Sequence, residues 1–283
     1  MQLGRSKSFW VIAALYVLAT VVGVVVYRLL PLAPIWSLLI ADVAATVFLF
    51  VFSCVLKNAS VYDPYWSVQP IVIGLAFAIG EGITLSGIFA LLAVLLWGVR
   101  LTANWAYTFH GLAHQDWRYT QLKETTKGFY PLINFFGIHL VPTLVVYACI
   151  LPLVEILRNA PSFQAWALPF FALSLGAVAL QTVSDWQMQM YRKEYPTTFI
   201  RTGLWKHARH PNYLGEILMW WGLALYAVVL MPSKPWLLSG ALLNTVLFLC
   251  ASVPLAEKRL SKREGYVAYR KETRLFLPIP KRH

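Results

Sequence analysis

Apolar residues in this sequence gather into long blocks separated by short polar segments. Each block holds about 20 residues, which is the length an α-helix needs to cross the hydrocarbon core of a bilayer. Eight segments are predicted, at 9–30, 34–56, 68–85, 86–109, 132–154, 163–190, 212–231 and 236–256. The predicted fold is therefore an all-α, polytopic membrane helical bundle with about eight transmembrane spans.

The third segment is the weakest, because its uninterrupted apolar core from Pro70 to Ile79 is short and Gly80-Glu81-Gly82 follows. A re-entrant hairpin there would leave seven spans. Loop charge favours eight: 20 of the 24 Lys and Arg residues then fall on one side, three on the other, and Arg100 inside a span. Loops rich in Lys and Arg are retained on the cytoplasmic side of a membrane. We therefore predict an integral, multi-pass protein with both termini in the cytoplasm, in the inner membrane if the source is bacterial.

Composition agrees with a membrane protein: 59% of residues are hydrophobic and 13% charged. Soluble globular chains carry roughly 45–50% apolar and about 25% charged residues. These values exclude a disordered tail protein, a secreted disulfide scaffold and a cytosolic dinucleotide-binding enzyme. The net charge of +12 follows from the loop asymmetry, and no soluble domain is predicted that could present a basic face to nucleic acid. The expected partners are the bilayer and a hydrophobic small molecule or lipid, with residues 1–283 forming one integral membrane domain.

The polar residues concentrate on the predicted cytoplasmic side, in residues 110–131, in 191–211 and in the tail from Glu257. A transporter would place its site near the bilayer midplane, often between inverted repeats. A site at one membrane face instead suits a charged cytosolic cofactor and a lipid-soluble substrate.

The most informative segment is the basic loop that runs into the seventh span. Pro211 suits the first position of a helix, and the backbone N–H groups there, with Lys206 and Arg209, predict an anion site suited to phosphate. Asn212 and Glu216 are four residues apart and share a face. A carboxylate inside a span is a functional candidate. The alternative is a membrane anchor next to a buried, hydrogen-bonded glutamate.

The preceding span ends in a polar stripe at helical spacing, formed by Gln181, Asp185, Gln189 and Arg192. The stripe leads into the basic loop, which favours one shared site. A polar contact between helices, or a surface ion pair, is the alternative.

A further polar group lies earlier in the chain, where Asp63 and Tyr65 precede the third segment. Trp97, Arg100, Asn104 and Tyr107 share one face of the fourth. Arg100 needs a partner in lipid, and Asp63 or Glu81 could supply it. A structural ion pair and a substrate site explain this group equally well.

Two other chemistries find little support. His110, His114 and Asp116 have a plausible ligand spacing, but the three histidine boxes of membrane di-iron oxygenases are missing, so no metal is expected. The sequence also lacks a GxGxxG or Walker motif, which excludes Rossmann and P-loop nucleotide sites.

The run from Arg209 to Glu216, together with Ser184-Asp185 and Arg192-Lys193, resembles the steroid 5α-reductase-like membrane proteins. The closest likeness is to the bacterial group known as a domain of unknown function within that clan. It extends over roughly residues 60–280, is strongest from 180 to 280, and includes Glu257, Tyr266 and Tyr269 in the tail. Residues 1–60 are less informative.

This resemblance implies a membrane reductase that binds NADPH on its cytoplasmic side and reduces an enone-like C=C bond of a lipid or steroid-like substrate. Asn212 and Glu216 would hold the nicotinamide part, and Arg192 the phosphates. His207 and Gln181 replace a family Tyr and Asn. The implied cofactor-binding set is Gln181, Asp185, Arg192, Lys206, His207, Arg209, Asn212, Tyr213, Glu216, Glu257 and Tyr269.

The catalytic residues have less support than the cofactor-binding set, since the Glu–Tyr pair that polarises the carbonyl in the steroid enzymes is not clearly present. Trp97 falls where the Tyr should be, and Asp63 is the nearest acid. The candidate catalytic residues are Asp63, Tyr65, Trp97, Arg100 and Tyr107.

Two other functions stay open. Isoprenylcysteine and phospholipid methyltransferases, which use S-adenosylmethionine, carry a similar R-H-P-x-Y loop. Glu216 directly after Gly215, and the stripe with Asp185 and Arg192, favour the reductases. A non-enzymatic membrane scaffold would give no function to the Asp, Glu and Arg residues inside the membrane.

Overall fold

The computed structural model describes residues 4–280, and the regular elements of this part of the chain are helices. They are α1 (Arg5–Leu29), α2 (Pro34–Val55), α3 (Tyr65–Glu81), α4 (Leu85–Thr108), α5 (Trp117–Thr126), α6 (Tyr130–Ile133), α7 (Val141–Asn159), α8 (Leu168–Glu194), α9 (Pro211–Leu230), α10 (Ser239–Leu247), α11 (Val253–Leu260) and α12 (Tyr266–Glu272). Two π-helical segments, Asn134–Leu140 and Phe248–Ser252, join α6 to α7 and α10 to α11. The predicted all-α class is confirmed.

Within residues 4–280, seven helical segments are long and apolar enough to cross a membrane. They are Arg5–Leu29, Pro34–Val55, Leu85–Thr108, Trp117–Asn159, Ala165–Glu194, Pro211–Leu230 and Pro235–Leu260. The predicted third span corresponds to the shorter α3, which has 17 residues. At 1.5 Å per residue α3 is about 25 Å long, slightly less than a typical hydrocarbon core.

α3 is one uninterrupted helix and not a re-entrant hairpin. It turns back through Gly82, whose φ of 82° suits glycine, and packs antiparallel on α4. Ser67 Oγ lies 2.8 Å from Thr102 Oγ1, and a Cβ on Gly74 would lie 3.0 Å from Leu91 Cδ1. α3 therefore runs through the same depth as most of α4, which supports the count of eight crossings.

The core lies around α7, whose residues Cys149 to Leu157 are all buried. α2, α3, α4, α9 and α10 pack against it. α8 and α9 pack closely together on one side, because α9 has glycine at the contact. A Cβ on Gly215 would lie only 2.5 Å from Gln181 Cγ and 2.7 Å from the Ala177 carbonyl oxygen. This close approach places the polar stripe of α8 directly against α9.

The Lys- and Arg-rich segments meet at one end of the bundle, here called the basic end: residues 56–64, 109–131, 191–210 and 257–280. Arg5 Nη2 donates to the Ala106 carbonyl at 3.0 Å, and the Arg259 guanidinium lies 3.9 Å from the centre of the Trp117 ring. At the opposite end, buried Glu155 pairs with Arg158 and Lys234. Arg5 of α1 and the described part of the tail thus lie at the same end of the bundle, as an even number of crossings requires.

We predict that the basic end faces the cytoplasm, because positive loops are retained on that side. Reporter domains fused after the last residue and within residues 110–131 are expected to report a cytoplasmic position. A fusion near residues 160–164 is expected on the other side. A cytoplasmic signal from that third fusion, or an external one from the tail, would contradict this topology.

Candidate functional site

α4, α8 and α9 meet around the buried carboxylate of Glu216, which is 5% exposed. Its Oε2 accepts hydrogen bonds from Trp97 Nε1 at 2.8 Å and from Gln181 Nε2 at 2.7 Å. Its Oε1 accepts one from Trp220 Nε1, four residues along the same helix, at 2.8 Å. Three N–H groups therefore stabilise this carboxylate, without a cation in direct contact. Such complete hydrogen bonding is what a buried charge requires.

An ion pair lies one helical turn closer to the basic end, between Arg100 of α4 and Asp185 of α8. Their side chains are 13% and 18% exposed. Asn212 Nδ2 donates to Asp185 Oδ1 at 3.1 Å, which joins α9 to the pair. The sequence-based partners of Arg100 are therefore wrong. Asp63 bonds elsewhere, and Glu81 is exposed at the far end of α3.

A further hydrogen bond lies closer to the basic end, where the Gln189 amide donates to Asn104 Oδ1. We call the whole set the polar column: Trp97, Arg100, Asn104, Gln181, Asp185, Gln189, Asn212 and Glu216. The spacing within each helix predicted which of these residues share a face, and the structure brings the three faces together. Trp220 was not predicted, because an indole in an apolar span gives no signal that its N–H has a polar partner.

Unpaired positive charge lies beyond the column at the basic end. Arg192, seven residues past Asp185 on α8, is exposed and makes no hydrogen bond or ion pair among residues 4–280. It lies within electrostatic range of Arg259 and Arg263, and also of the Asp185 carboxylate. Lys206 is also exposed, and no partner for its ammonium group is present in the described chain. Clustered arginines with few nearby acids favour binding of a polyanion.

Glu257 ties the predicted anion loop to the tail. Its Oε1 accepts from Arg209 Nε at 2.8 Å, from His210 Nε2 at 2.9 Å and from the Tyr266 hydroxyl at 2.8 Å. Arg209 Nη1 also donates to the carbonyl of Thr273 at 2.7 Å. The Arg209 side chain is only 11% exposed. The guanidinium of Arg209, predicted as part of a phosphate site, is therefore largely used in holding the tail.

Three further residues of the predicted cofactor set belong to the same loop–tail contact. The Tyr269 hydroxyl donates to the Trp205 carbonyl at 2.5 Å, and burial raises the pKa of Tyr269 to about 12. The backbone oxygen of His207 accepts from Arg274 N at 3.1 Å, and Tyr213 stacks on His210 with ring centres 5.0 Å apart.

We expect Arg209→Ala to lower stability by about 2–4 kcal/mol, because it leaves Glu257 without its closest cation in a largely buried site. Lys206→Ala in the same loop is the matched control. Its side chain is exposed and unpaired in the described chain, so its melting temperature should stay at the wild-type value. Thermal unfolding of both variants in detergent tests this, and equal melting temperatures would contradict it.

The five candidate catalytic residues do not form one site. Trp97 and Arg100 belong to the polar column, whereas Tyr107 is about half exposed, with Lys193 Nζ 5.4 Å from its ring centre. Tyr65 donates to the buried Asp42 of α2 at 2.9 Å. Asp42 was not predicted as a functional residue, although a lone carboxylate in an apolar span was the signal that could have identified it.

Asp63 lies in the loop before α3, and the Tyr119 hydroxyl donates to its Oδ1 at 2.5 Å. Burial raises the pKa of Asp63 to about 6, against the opposing effects of Arg118 and Tyr119. Asp63 therefore makes its close contact with Tyr119 of α5 and not with the other candidate catalytic residues. The rings of His110 and His114 are 6.1 Å apart, and residues 4–280 hold no group of three or more His, Cys, Asp or Glu side chains placed to bind a metal.

The fold and the column define a polytopic membrane protein with a buried polar site towards one end of its bundle. The family model described as "Protein of unknown function (DUF1295)" matches residues 49–273, and the chain belongs to this family. The match confirms the predicted membership in the domain-of-unknown-function group and begins somewhat before the predicted residue 60.

A relative in Schizosaccharomyces pombe (strain 972), an uncharacterized protein, is 28% identical over 222 residues. The alignment covers 68% of this chain and 62% of the yeast protein, so the chain spans less than two thirds of that relative's length. No solved structure matches the chain.

Proposed function

We propose that the protein is an NADPH-dependent membrane oxidoreductase that reduces an activated, enone-like C=C bond of a hydrophobic lipid or steroid-like substrate. The observation that carries this proposal is the arginine cluster at the basic end, which directly continues the polar column and outnumbers the acids within electrostatic range of it, Asp116 and Asp185. Arg192 extends from the helix that carries Asp185 and Gln181, and Arg259 and Arg263 lie within electrostatic range of it. A dinucleotide combines a polyphosphate with a polar ring amide, and this arrangement offers groups for both.

The residues of the column fit a nicotinamide ring amide. Among the described residues, Gln181 Oε1 is buried without a hydrogen-bond partner, beside the Glu216 carboxylate. A carboxamide N–H donor would satisfy this acceptor, and buried polar groups rarely stay unpaired. Glu216 would act mainly by orienting Gln181, because its two oxygens already accept three hydrogen bonds.

NADPH, when bound, would supply the hydride for the β-carbon of the enone, and a proton from water would complete the reduction at the α-carbon, leaving NADP⁺. The protein's own contribution would be binding and orientation. Arg192, Arg259 and Arg263 would neutralise the phosphates, and Asn212, held by Asp185, would fix one edge of the site. The apolar helices around the column would exclude water, which strengthens each polar contact within it. A lipid substrate would enter from the bilayer between helices.

A methyltransferase that uses S-adenosylmethionine is the second candidate. The observation that favours it is the contact of Arg209 and His210 with Glu257, since the loop that carries both residues resembles the methyltransferase loop. The two candidates require different cofactors, so ligand binding separates them.

We expect NADPH to raise the melting temperature of the detergent-purified protein and S-adenosylmethionine to leave it unchanged. A ligand at about 100 times its Kd stabilises the native state by roughly 2.7 kcal/mol. NADPH oxidation that depends on an added enone lipid would complete the test. Stabilisation by S-adenosylmethionine alone would replace the reductase with the methyltransferase, and no effect of either ligand would favour the scaffold.

Arg192→Gln is expected to weaken NADPH binding by about 1–3 kcal/mol, roughly tenfold or more in Kd, through loss of a charged hydrogen bond to phosphate. Stability should not change, because the Arg192 side chain is exposed. Lys7→Gln removes the same charge from the exposed start of α1 at the basic end and controls for general electrostatic attraction. Equal Kd values for the two variants, measured by titration calorimetry, would contradict the assignment.

A further inference from the structure

A second polar site lies in the membrane, between α1, α2 and α3. The Asp42 carboxyl of α2 is 4% exposed and the Gln69 amide of α3 is 8% exposed. Both side chains line a cleft of about 370 Å³. This volume falls within the roughly 300–1,000 Å³ range of small-molecule sites. A carboxyl group inside a membrane is costly, and its position on a cleft points to a ligand.

The polar groups of this cleft are incompletely paired. Asp42 Oδ1 accepts from the Tyr65 hydroxyl at 2.9 Å. In the part of the chain that the structure describes, neither Asp42 Oδ2 nor Gln69 Nε2 has a partner within hydrogen-bond distance and angle, although the Gln69 amide lies near enough to stabilise the Asp42 carboxylate. The cleft therefore presents a carboxyl oxygen and an N–H donor that one small polar group can bridge.

Most of the remaining cleft is apolar, and the charged side chains of Arg28 and Glu81 line its end furthest from the basic end of the bundle. Small side chains make the space, among them Ala19 and Gly23 of α1, Ala41 and Ala45 of α2, and Ala76 of α3. The aromatic pairs Tyr16–Tyr65 and Tyr27–Phe77, with ring centres 5.7 Å and 6.1 Å apart, bridge α1 and α3. α1 packs mainly against α2, so the gap between α1 and α3 leads to the hydrocarbon region.

The cleft is separate from the polar column. The residues of α3 that contact α4, Ser67 and Gly74, lie on the opposite side of that helix from Tyr65, Gln69 and Ala76. The helical period of 3.6 residues requires this separation. α3 therefore stands between the cleft and the site proposed for NADPH, and a molecule in the cleft would not touch the column.

We propose that this cleft binds a lipid alcohol, an uncharged hydrocarbon molecule that carries a hydroxyl group. A hydroxyl both donates and accepts, so one such group can donate to Asp42 Oδ2 and accept from Gln69 Nε2. A carbonyl or ether oxygen only accepts and would leave the carboxyl oxygen unpaired. Asp42 lies eight residues after Pro34, the first residue of α2, which is about 12 Å along the helix. A phospholipid headgroup would be held at the end of the cleft, where Arg28 and Glu81 lie, and would be too polar to reach the apolar surroundings of Asp42.

Photolabelling with a diazirine-bearing hexadecanol in lipid vesicles tests this proposal. We expect the label to map to peptides of α1, α2 and α3. Unlabelled hexadecanol should compete at least fivefold more effectively than hexadecyl methyl ether, which has the same chain but cannot donate. Equal competition by the ether, or labelling confined to other helices, would overturn the proposal.

Two variants locate the site. Asp42→Asn keeps an oxygen for the Tyr65 hydroxyl and removes the free carboxyl oxygen, so the alcohol should lose its advantage over the ether. Ala76→Trp fills the cleft from an exposed position of α3 and should abolish labelling, whereas Leu75→Trp, exposed but outside the cleft, should not. Unchanged labelling in Ala76→Trp would also overturn the proposal. NADPH binding should stay at wild type in Ala76→Trp, so this result is independent of the proposed reductase activity.

Discussion

Glu216→Ala is expected to leave the protein largely unfolded in detergent. The change removes the shared acceptor of three buried N–H groups, those of Trp97, Gln181 and Trp220. Each unpaired buried donor costs about 1–3 kcal/mol. The sum is comparable with the entire stability of a typical domain, about 5–15 kcal/mol. Thermal unfolding and size-exclusion profiles measure the effect. Glu264→Ala at the exposed end of the chain is the control and should match the wild type.

Glu216→Gln separates the structural role of this residue from its proposed role in positioning Gln181 for the cofactor. The amide keeps the shape of the carboxylate and can still accept from Trp97 and Gln181, but its NH₂ group then faces the N–H of Trp220. We expect a folded protein that is about 1–3 kcal/mol less stable. NADPH-dependent reduction should fall by more than tenfold, about 1.4 kcal/mol in transition-state terms. Wild-type stability in Glu216→Ala would contradict the structural role. Full activity in Glu216→Gln would contradict the proposed positioning role.

Asp185→Ala is expected to lower stability by about 3–5 kcal/mol, because the Arg100 guanidinium would remain in the bundle without its counter-ion. Asn212 would lose its acceptor at the same time. The double variant Arg100→Met with Asp185→Leu should recover much of this loss, because it removes both charges and preserves apolar volume. A double-mutant cycle on melting temperatures measures the coupling.

The exposed ion pair between Arg270 and Glu257 serves as the control for this cycle. Arg270 is 59% exposed in its side chain, and Glu257 keeps Arg209, His210 and Tyr266 without it. Arg270→Ala should therefore cost less than about 1 kcal/mol. A cost for Asp185→Ala as small as that for Arg270→Ala would show that the column does not depend on its ion pair.

The sequence by itself determined the membrane-length helices and the end of the bundle at which the Lys and Arg residues gather. Apolar blocks of membrane length predicted the spans, since hydrophobicity is summed along one continuous segment. The distribution of Lys and Arg predicted which loops meet. Helical spacing also identified the correct face on each of α4, α8 and α9, because positions four residues apart lie on one side of a helix whatever surrounds it.

Only the tertiary structure decided which faces meet. Arg100 pairs with Asp185 and not with Asp63 or Glu81, because the close packing of α8 on α9 at Gly215 and the position of α4 beside them are set by contacts distant in sequence. The same holds for Arg209, whose guanidinium bonds to the C-terminal tail, and for Asp42, whose cleft forms from three helices. Periodicity fixes the direction of a side chain on its own helix, whereas its partner depends on the packing of the whole bundle.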